Sequence, residues 1–166
     1  MNAHDWSSFL LRVPIHSDPQ TIYTAWSTQK GLENWFLRTA RFFTKEGADR
    51  PADVPIEVND RYEWKWHGWP DEVEEKGMIL EANGSNRLRF SFGMAGKVTI
   101  SIAPEAGVCV VELVQEEIPT DEQGQVYYHI GCTKGWLFYL TNLKSILEGG
   151  IDLRNRDVQL KNVITS

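Results

Sequence analysis

The sequence predicts an α+β domain in which a curved antiparallel sheet of six to seven strands packs on one long C-terminal helix. Segments with alternating apolar and polar residues, separated by short turns, recur between residues 61 and 113, which is typical of antiparallel strands. Two short helix patterns follow the first strand, and one much longer pattern, Thr120–Glu148, follows the last. This order predicts helices on one face of the sheet.

The first part of the chain combines one strand with two short helices. Ser8–Ile15 alternates as a strand does, and Pro14, which lacks an N–H group, indicates that this strand lies at a sheet edge. Pro19–Trp26 is predicted to be a short helix with proline at an early helical position. A second helix, Gln29–Asn34, follows with Thr28 as its cap.

The middle of the chain contains a loop and then the main set of strands. Glu46–Asn59 has no helix or strand pattern and is either a mobile surface loop or a lid. Asn83-Gly84 indicates a hairpin between two of the later strands. The predicted inward faces of the strands comprise Tyr62, Trp64, Trp66, Leu88, Phe90, Phe92, Val98, Ile100, Ile102, Cys109, Val111 and Leu113.

The long helix has start and stop signals in the sequence. Thr120 and Gln123 have the spacing of a capping box, and Gly149-Gly150 is a helix stop. We expect the residues after Gly150 to add no core. The apolar residues that repeat with a nearly helical period, and are therefore predicted to face the sheet, are Val126, Ile130, Leu137, Leu140, Leu143 and Leu147.

Composition limits the classes of function. The chain has 166 residues, which fits a single domain over residues 1–166, and its net charge of −6 argues against a nucleic-acid partner. No apolar run is long enough for a membrane span, and the first residues do not resemble a secretory signal. Two cysteines fit a reducing compartment, so we expect a cytoplasmic protein.

Several segments, in this order, resemble a known family. They are Pro19–Trp26, Trp35-Phe36, Tyr62-Glu63-Trp64, Gly77–Glu81 and Gly135-Trp136. Together they are similar to the START/Bet v 1-like (SRPBCC) superfamily, which has the helix-grip fold, and within it to the activator of Hsp90 ATPase homologue 1-like (AHSA1) family. The resemblance implies an elongated cavity between the curved sheet and the long helix.

The candidate ligand-binding residues are those predicted to line this cavity, with one further residue at its entrance and one ionisable residue at its mouth. A mostly apolar pocket suits a small hydrophobic or amphipathic ligand. The same side chains could instead fill a solid core, because protein interiors are close-packed, although we favour the open cavity. The lining residues are Trp64, Trp66, Phe90, Phe92, Ile100, Leu113, Thr133, Trp136, Leu137 and Leu140, with Trp35 at the entrance and His129 at the mouth.

Other polar and small residues leave alternatives open. Glu75, Gln115 and Glu117 are candidate polar groups at the cavity. Gly131 and Gly135, four residues apart in the helix, indicate either close packing on the sheet or room for a ligand.

Three functions are consistent with these observations. The first is binding of a small hydrophobic molecule. The second is a protein-interaction module of the Hsp90-activator type, or a homodimer. The third is a START-like enzyme that uses His129 for acid–base chemistry. We assign no catalytic residue, and we expect no metal and no cofactor, because the four histidines are scattered and no cofactor-binding motif is present.

Overall fold

The computed structural model describes residues 4–164, and in this part of the chain seven strands form one curved antiparallel sheet. The elements are β1 Phe9–Ile15, α1 Pro19–Ser27, α2 Gln29–Trp35, β2 Thr39–Phe43, β3 Arg61–Lys65, β4 Glu74–Ala82, β5 Arg87–Ser91, β6 Lys97–Glu105, β7 Val108–Glu116 and α3 Gly131–Leu147. The strands follow the order β1-β7-β6-β5-β4-β3-β2 across the sheet. The predicted fold class is therefore confirmed.

Each short helix begins next to a capping side chain, Thr28 as predicted and Asp18 for the first helix. The Asp18 carboxylate accepts a hydrogen bond from the Thr21 N–H at 2.9 Å, and the Thr28 hydroxyl accepts one from the Gly31 N–H at 2.9 Å. Each bond satisfies one of the N–H groups that have no partner in the first turn of a helix. Pro14 lies in β1, which forms one edge of the sheet, so its missing N–H group interrupts no ladder.

The long helix starts differently from the prediction. The predicted capping box does not form in the described structure; instead, the Asp121 carboxylate accepts a hydrogen bond from the Gly124 N–H at 2.7 Å. Glycine is required at this position, because a Cβ atom there would lie 1.8 Å from the Pro119 carbonyl oxygen. The next segment, Gly124–Ile130, is π-helical and leads directly into α3.

The π-helical segment changes which side chains face the sheet. Its hydrogen bonds join residues five apart, so it advances through fewer degrees per residue than an α-helix. Val126 and Ile130, which the α-helical period predicts to face the sheet, are exposed. The prediction that they face inward is therefore wrong.

The helix ends at the predicted glycine pair. Gly149 has a φ of +81°, a conformation that suits glycine. The Gly149 N–H donates to the Ile146 carbonyl at 3.2 Å and the Gly150 N–H donates to the Ser145 carbonyl at 2.7 Å. This pair of bonds is the Schellman arrangement, which satisfies carbonyl groups at the end of a helix.

The loop between β2 and β3 is held in place. The backbone N–H of Ile56 donates to the Ser27 carbonyl at 2.8 Å, and the Ile56 side chain is buried. The Arg50 guanidinium donates to the Asp60 carboxylate at 2.9 Å. This loop therefore packs beside the short helices.

The described residues after the long helix add no side chain to the hydrophobic core, as predicted, but they contribute buried polar contacts. The side chain of Arg154 is buried, and it donates to the carbonyl groups of Glu33, Asn34 and Leu37 at 3.1, 2.9 and 3.1 Å. These carbonyls lie in and just after the last turn of α2, where helical carbonyls lack internal partners and a positive charge is favourable. The Asp152 carboxylate holds the guanidinium from the other side at 2.8 Å.

We predict that Arg154→Met destabilises the protein by about 2–3 kcal/mol, because methionine keeps the carbonyl groups buried but cannot donate to them. Arg156→Met is the matched control: Arg156 pairs with the same Asp152 carboxylate but is exposed, so its loss should cost less than about 1 kcal/mol. Urea denaturation measures both values. Equal losses for the two variants would contradict the structural role given to Arg154.

Candidate functional site

A cleft of about 160 Å³ opens between the long helix and the sheet. On the sheet side it is bounded by the residues just after α2, β3 and β5, and on the other side by successive turns of the long helix. Six of its nine lining residues are aromatic, and none carries a charge. The lining residues are Phe36, Trp66, Phe92, Tyr127, Gly131, Cys132, Gly135, Trp136 and Tyr139.

Trp136 is the central ring of this cleft. The centre of its ring lies 5.0 Å from that of Phe36 and 5.6 Å from that of Phe92. Phe36 in turn contacts Tyr139 at 4.8 Å and Trp66 at 6.1 Å between ring centres. These separations are those of packed aromatic pairs, so the walls support one another.

A buried amide fixes the orientation of Trp136. Its Nε1–H group donates to the Gln115 side-chain oxygen at 2.8 Å, and the Gln115 nitrogen donates to the Ala95 carbonyl at 2.9 Å. Gln115 lies on β7 and is completely buried. This chain of two hydrogen bonds joins the helix to the sheet and satisfies an indole N–H group that would otherwise be costly to bury.

The two helix glycines leave space. A Cβ atom added to Gly135 would have no neighbour within 4 Å, and one added to Gly131 would meet only the Val126 carbonyl oxygen at 3.7 Å. Close packing on the sheet, one of the two alternatives considered from the sequence, therefore does not explain them. They keep the helix wall of the cleft open.

The Cys132 thiol lines the cleft, and the Glu75 carboxylate is close enough to influence it. Burial raises the pKa of the Cys132 thiol. A hydrogen bond with Gln115 lowers this pKa in part, and the nearby charge of Glu75 raises it. Burial also raises the pKa of Glu75, and a hydrogen bond from the Lys76 backbone only partly offsets it. Glu117, the third polar candidate from the sequence, instead pairs with Lys97 at 2.7 Å on the surface.

Most of the space between sheet and helix is filled by aromatic rings. The ring centres of Trp26 and Trp35 lie 4.6 Å apart, and Trp64 lies 5.2 Å from Phe90. An elongated cavity of the kind that the family resemblance implies is therefore reduced to the cleft beside Trp136.

Three of the sequence-predicted site residues, Trp66, Phe92 and Trp136, line the cleft. Five more of the predicted site residues are buried in the core behind the cleft: Trp64, Phe90, Ile100, Leu113 and Leu140. Trp35 is completely buried and donates its indole N–H group to the Ala25 carbonyl at 2.9 Å, so it is not at the entrance. The next residue, Phe36, takes the place in the cleft wall that was predicted for Trp35.

The remaining three predicted residues lie elsewhere. Leu137 is 59% exposed, so the prediction that it faces the sheet is wrong; it follows Trp136 by one residue and is rotated out of the inward face. Thr133 does not line the cleft, and its hydroxyl donates to the His129 carbonyl at 2.6 Å. His129 packs edge-on against Phe9, and its Nδ1 atom lies 3.0 Å from the Trp6 carbonyl oxygen.

His129 therefore does not stand at the mouth of the cleft. Its Nε2 atom lies 3.2 Å from Nε2 of His4, so the ring fastens the N-terminal segment to the helix. The general acid–base role considered from the sequence requires contact with a bound molecule, and this position does not provide it.

Sequence reasoning missed several residues of the cleft. One signal was available: Gly131, Gly135 and Tyr139 are spaced four residues apart, so they share one side of the helix with Cys132 and Trp136. If the two glycines are interpreted as positions of open space, their spacing predicts that this side of the helix lines the cleft. The missed lining residues are Phe36, Tyr127, Cys132 and Tyr139.

The fold and the cleft define an α+β domain of the helix-grip class, with an aromatic site between sheet and helix. The family described as "Activator of Hsp90 ATPase homolog 1-like protein" matches residues 16–148. The chain therefore belongs to this family. A search of curated protein sequences gave no match.

Solved structures support the fold. The protein SSP2350 from Staphylococcus saprophyticus is similar with a TM-score of 0.68 and 17% identity, over 89% of this chain and 96% of that one. The Aha1 dimer from Colwellia psychrerythraea has a TM-score of 0.66 and 15% identity, over 86% of this chain and 97% of that one. CV1439 from Chromobacterium violaceum has a TM-score of 0.59 and 20% identity, over 86% of this chain and 98% of that one. At these identities the likeness concerns the fold alone.

Neither a metal site nor a membrane-spanning helix is found in the described part of the chain. Among residues 4–164, no group of three or more His, Cys, Asp or Glu side chains is placed to hold a metal ion. None of the helices in this described part is both long enough and apolar enough to cross a membrane.

The raised pKa of Glu75 predicts how stability depends on pH. The folded state holds the Glu75 proton more readily than the unfolded state does, so this contribution to stability is complete below the unfolded-state pKa and is lost as pH rises through the folded-state pKa. Glu75→Gln should therefore raise the melting temperature at about pH 7, and this gain should shrink towards about pH 4.

Glu74→Gln is the control for this experiment. Glu74 is the adjacent residue of β4, but it is exposed and pairs with Lys76 at 2.9 Å, which lowers its pKa. Its substitution should give no gain at neutral pH. A Glu75→Gln variant that is less stable than the wild type at neutral pH would show that the carboxylate is not destabilised by burial.

Proposed function

We propose that this protein binds a small molecule that has a ring-sized apolar group, in the cleft beside Trp136. The observation that carries the proposal is the open space at Gly135, where an aromatic wall surrounds a position that has no side chain. An apolar cavity of about 150 Å³ can hold one benzene molecule. The cleft, at about 160 Å³, has this scale.

The shape of the core supports a small ligand rather than a large one. Indole and phenyl rings occupy the space farther inside, and Trp35, Trp64 and Phe90 are buried there. Displacing them would leave unfilled volume and lose dispersion contacts. The ligand therefore enters only as far as Trp136, and the rest of it stays near the surface by Tyr127.

The chemistry of the lining favours binding over catalysis. Its aromatic residues offer apolar contact, and Tyr127, Cys132 and Tyr139 are its only ionisable members. Burial raises the pKa of both Tyr139 and Cys132, so each remains protonated near neutral pH. Neither group is therefore poised to accept a proton from a bound molecule.

We predict that Gly135→Leu abolishes binding of toluene without destabilising the protein. The leucine side chain would occupy the cleft, and leucine favours a helix over glycine by roughly 0.8 kcal/mol. Lys134→Leu is the matched control, since it places the same side chain on the exposed side of the same helix turn.

Titration of the Trp136 indole N–H signal by nuclear magnetic resonance measures binding, and thermal melting measures stability. Toluene should shift this signal in the wild type and in Lys134→Leu, but not in Gly135→Leu. Binding that survives in Gly135→Leu would place the ligand elsewhere and refute the proposed site.

A second candidate function is association with another copy of the chain through the long helix. Val126, Ile130 and Leu137 are 49%, 38% and 59% exposed on this helix. A solved structure with the same fold is described as a dimer. Covering these side chains would remove apolar area from water, which favours association.

Sedimentation equilibrium tests this candidate. The wild type should associate in the micromolar range or tighter, and Leu137→Glu should be monomeric, because a carboxylate in the contact would have no partner. Lys134→Glu, on the same helix, controls for the change of charge. A wild type that remains monomeric at high concentration would remove this candidate and leave the binding proposal unaffected.

A further inference from the structure

This inference rests on the proposed function and concerns the charge at the edge of the aromatic cleft. Glu75 lies opposite Trp64 in the β3–β4 ladder, so the two side chains are on the same face of the sheet. A Cβ atom on Gly93 would lie 2.6 Å from a carboxylate oxygen of Glu75, so this carboxylate rests against the backbone that follows Phe92. Its charge also acts on the Cys132 thiol. Glu75 therefore borders the cleft between Phe92 and Cys132.

This carboxylate has no cationic partner among the described residues. The adjacent Lys76 pairs instead with Glu74 at 2.9 Å and with Glu63 at 3.5 Å, on the other face of the strand. The residues that line the cleft contribute no positive charge. A half-buried carboxylate without a counter-charge is unfavourable, and a bound cation would relieve this.

The aromatic walls attract the same kind of ligand. The face of an indole, phenol or phenyl ring is electron-rich and draws a cation within about 6 Å of its centre, with tryptophan the strongest of the three. The cleft has two tryptophans, Trp66 and Trp136, with Phe92 packed against Trp136. Rings on several sides are the arrangement by which proteins recognise alkylated ammonium groups.

We infer that the cleft takes an organic monocation, an aromatic or alkyl amine or quaternary ammonium ion, whose nitrogen lies among Trp66, Phe92 and Trp136 and beside Glu75. The rings contact the apolar substituents of the nitrogen, while the carboxylate supplies the counter-charge. An anionic ligand of the same size is disfavoured because it would meet the Glu75 carboxylate. The ligand class narrows from any small apolar molecule to a small amphipathic cation.

Two probes of the same shape test this inference. Phenyltrimethylammonium and tert-butylbenzene differ only in a charged nitrogen in place of a carbon. Each is titrated into the wild type while the Trp136 indole N–H signal is followed. The cation should bind about tenfold more tightly than the neutral probe.

Glu75→Gln should reduce this preference to about twofold, because the glutamine keeps the shape and removes the charge. The melting temperature of the variant at neutral pH, expected to be at least that of the wild type, shows that it is folded. Glu74→Gln, which removes a charge from the neighbouring exposed residue, should keep the full preference.

Each alternative outcome has a distinct meaning. If both probes bind the wild type equally, the inference of a cationic ligand is overturned while the proposed function stands. If the preference for the cation persists in Glu75→Gln, Glu75 does not supply the counter-charge and the inference is overturned. If neither probe binds while toluene still shifts the Trp136 signal, this inference fails and the proposed function stands. If toluene does not shift the signal either, both fail.

Discussion

The hydrogen bond from Trp136 to Gln115 is the interaction on which the arrangement of the site depends. Gln115 is completely buried on β7, and its amide is held in turn by the Ala95 carbonyl. Because the indole N–H group has this partner on the sheet, the rotation of the long helix about its axis is fixed. That rotation places Gly135 beside the cleft and Leu137 in solvent.

The glycines of the helix wall are otherwise unfavourable. A glycine inside a helix costs about 1 kcal/mol relative to alanine, and Gly135 makes no close contact that would require it. The same holds for the half-buried carboxylate of Glu75, which has no counter-charge among residues 4–164. Features that weaken the fold are expected at sites where a ligand binds. Here two such features meet at one cleft, which is why we assign function to this place rather than to the filled core.

The sequence predicts the fold well because the fold rests on local signals. The alternation of Tyr62 and Trp64, the cap at Thr28 and the glycine stop at Gly149 each act within a few residues. Alternation in a strand also settles which side chains are buried, since successive residues point to opposite faces. All of these predictions are confirmed.

The site is harder to predict because it depends on contacts between distant residues. The π-helical turn at Gly124–Ile130 breaks the helical period, so Val126 and Ile130 turn outward although their spacing is regular. Whether the aromatic residues enclose a cavity or fill it is set by the packing of several elements at once. The segment after the helix is a similar case: Arg154 is buried because three carbonyls at the end of α2 need donors, which no local pattern reveals.

The measurement that tests the central claim most directly is the set of intermolecular nuclear Overhauser effects from bound toluene. The structure predicts contacts from the toluene protons to the α-protons of Gly135 and to ring protons of Phe92 and Trp136, since these groups surround the open space. Contacts only to exposed side chains such as Val126 and Leu137, or none at saturating toluene, would contradict the claim that the cleft beside Trp136 is a binding site.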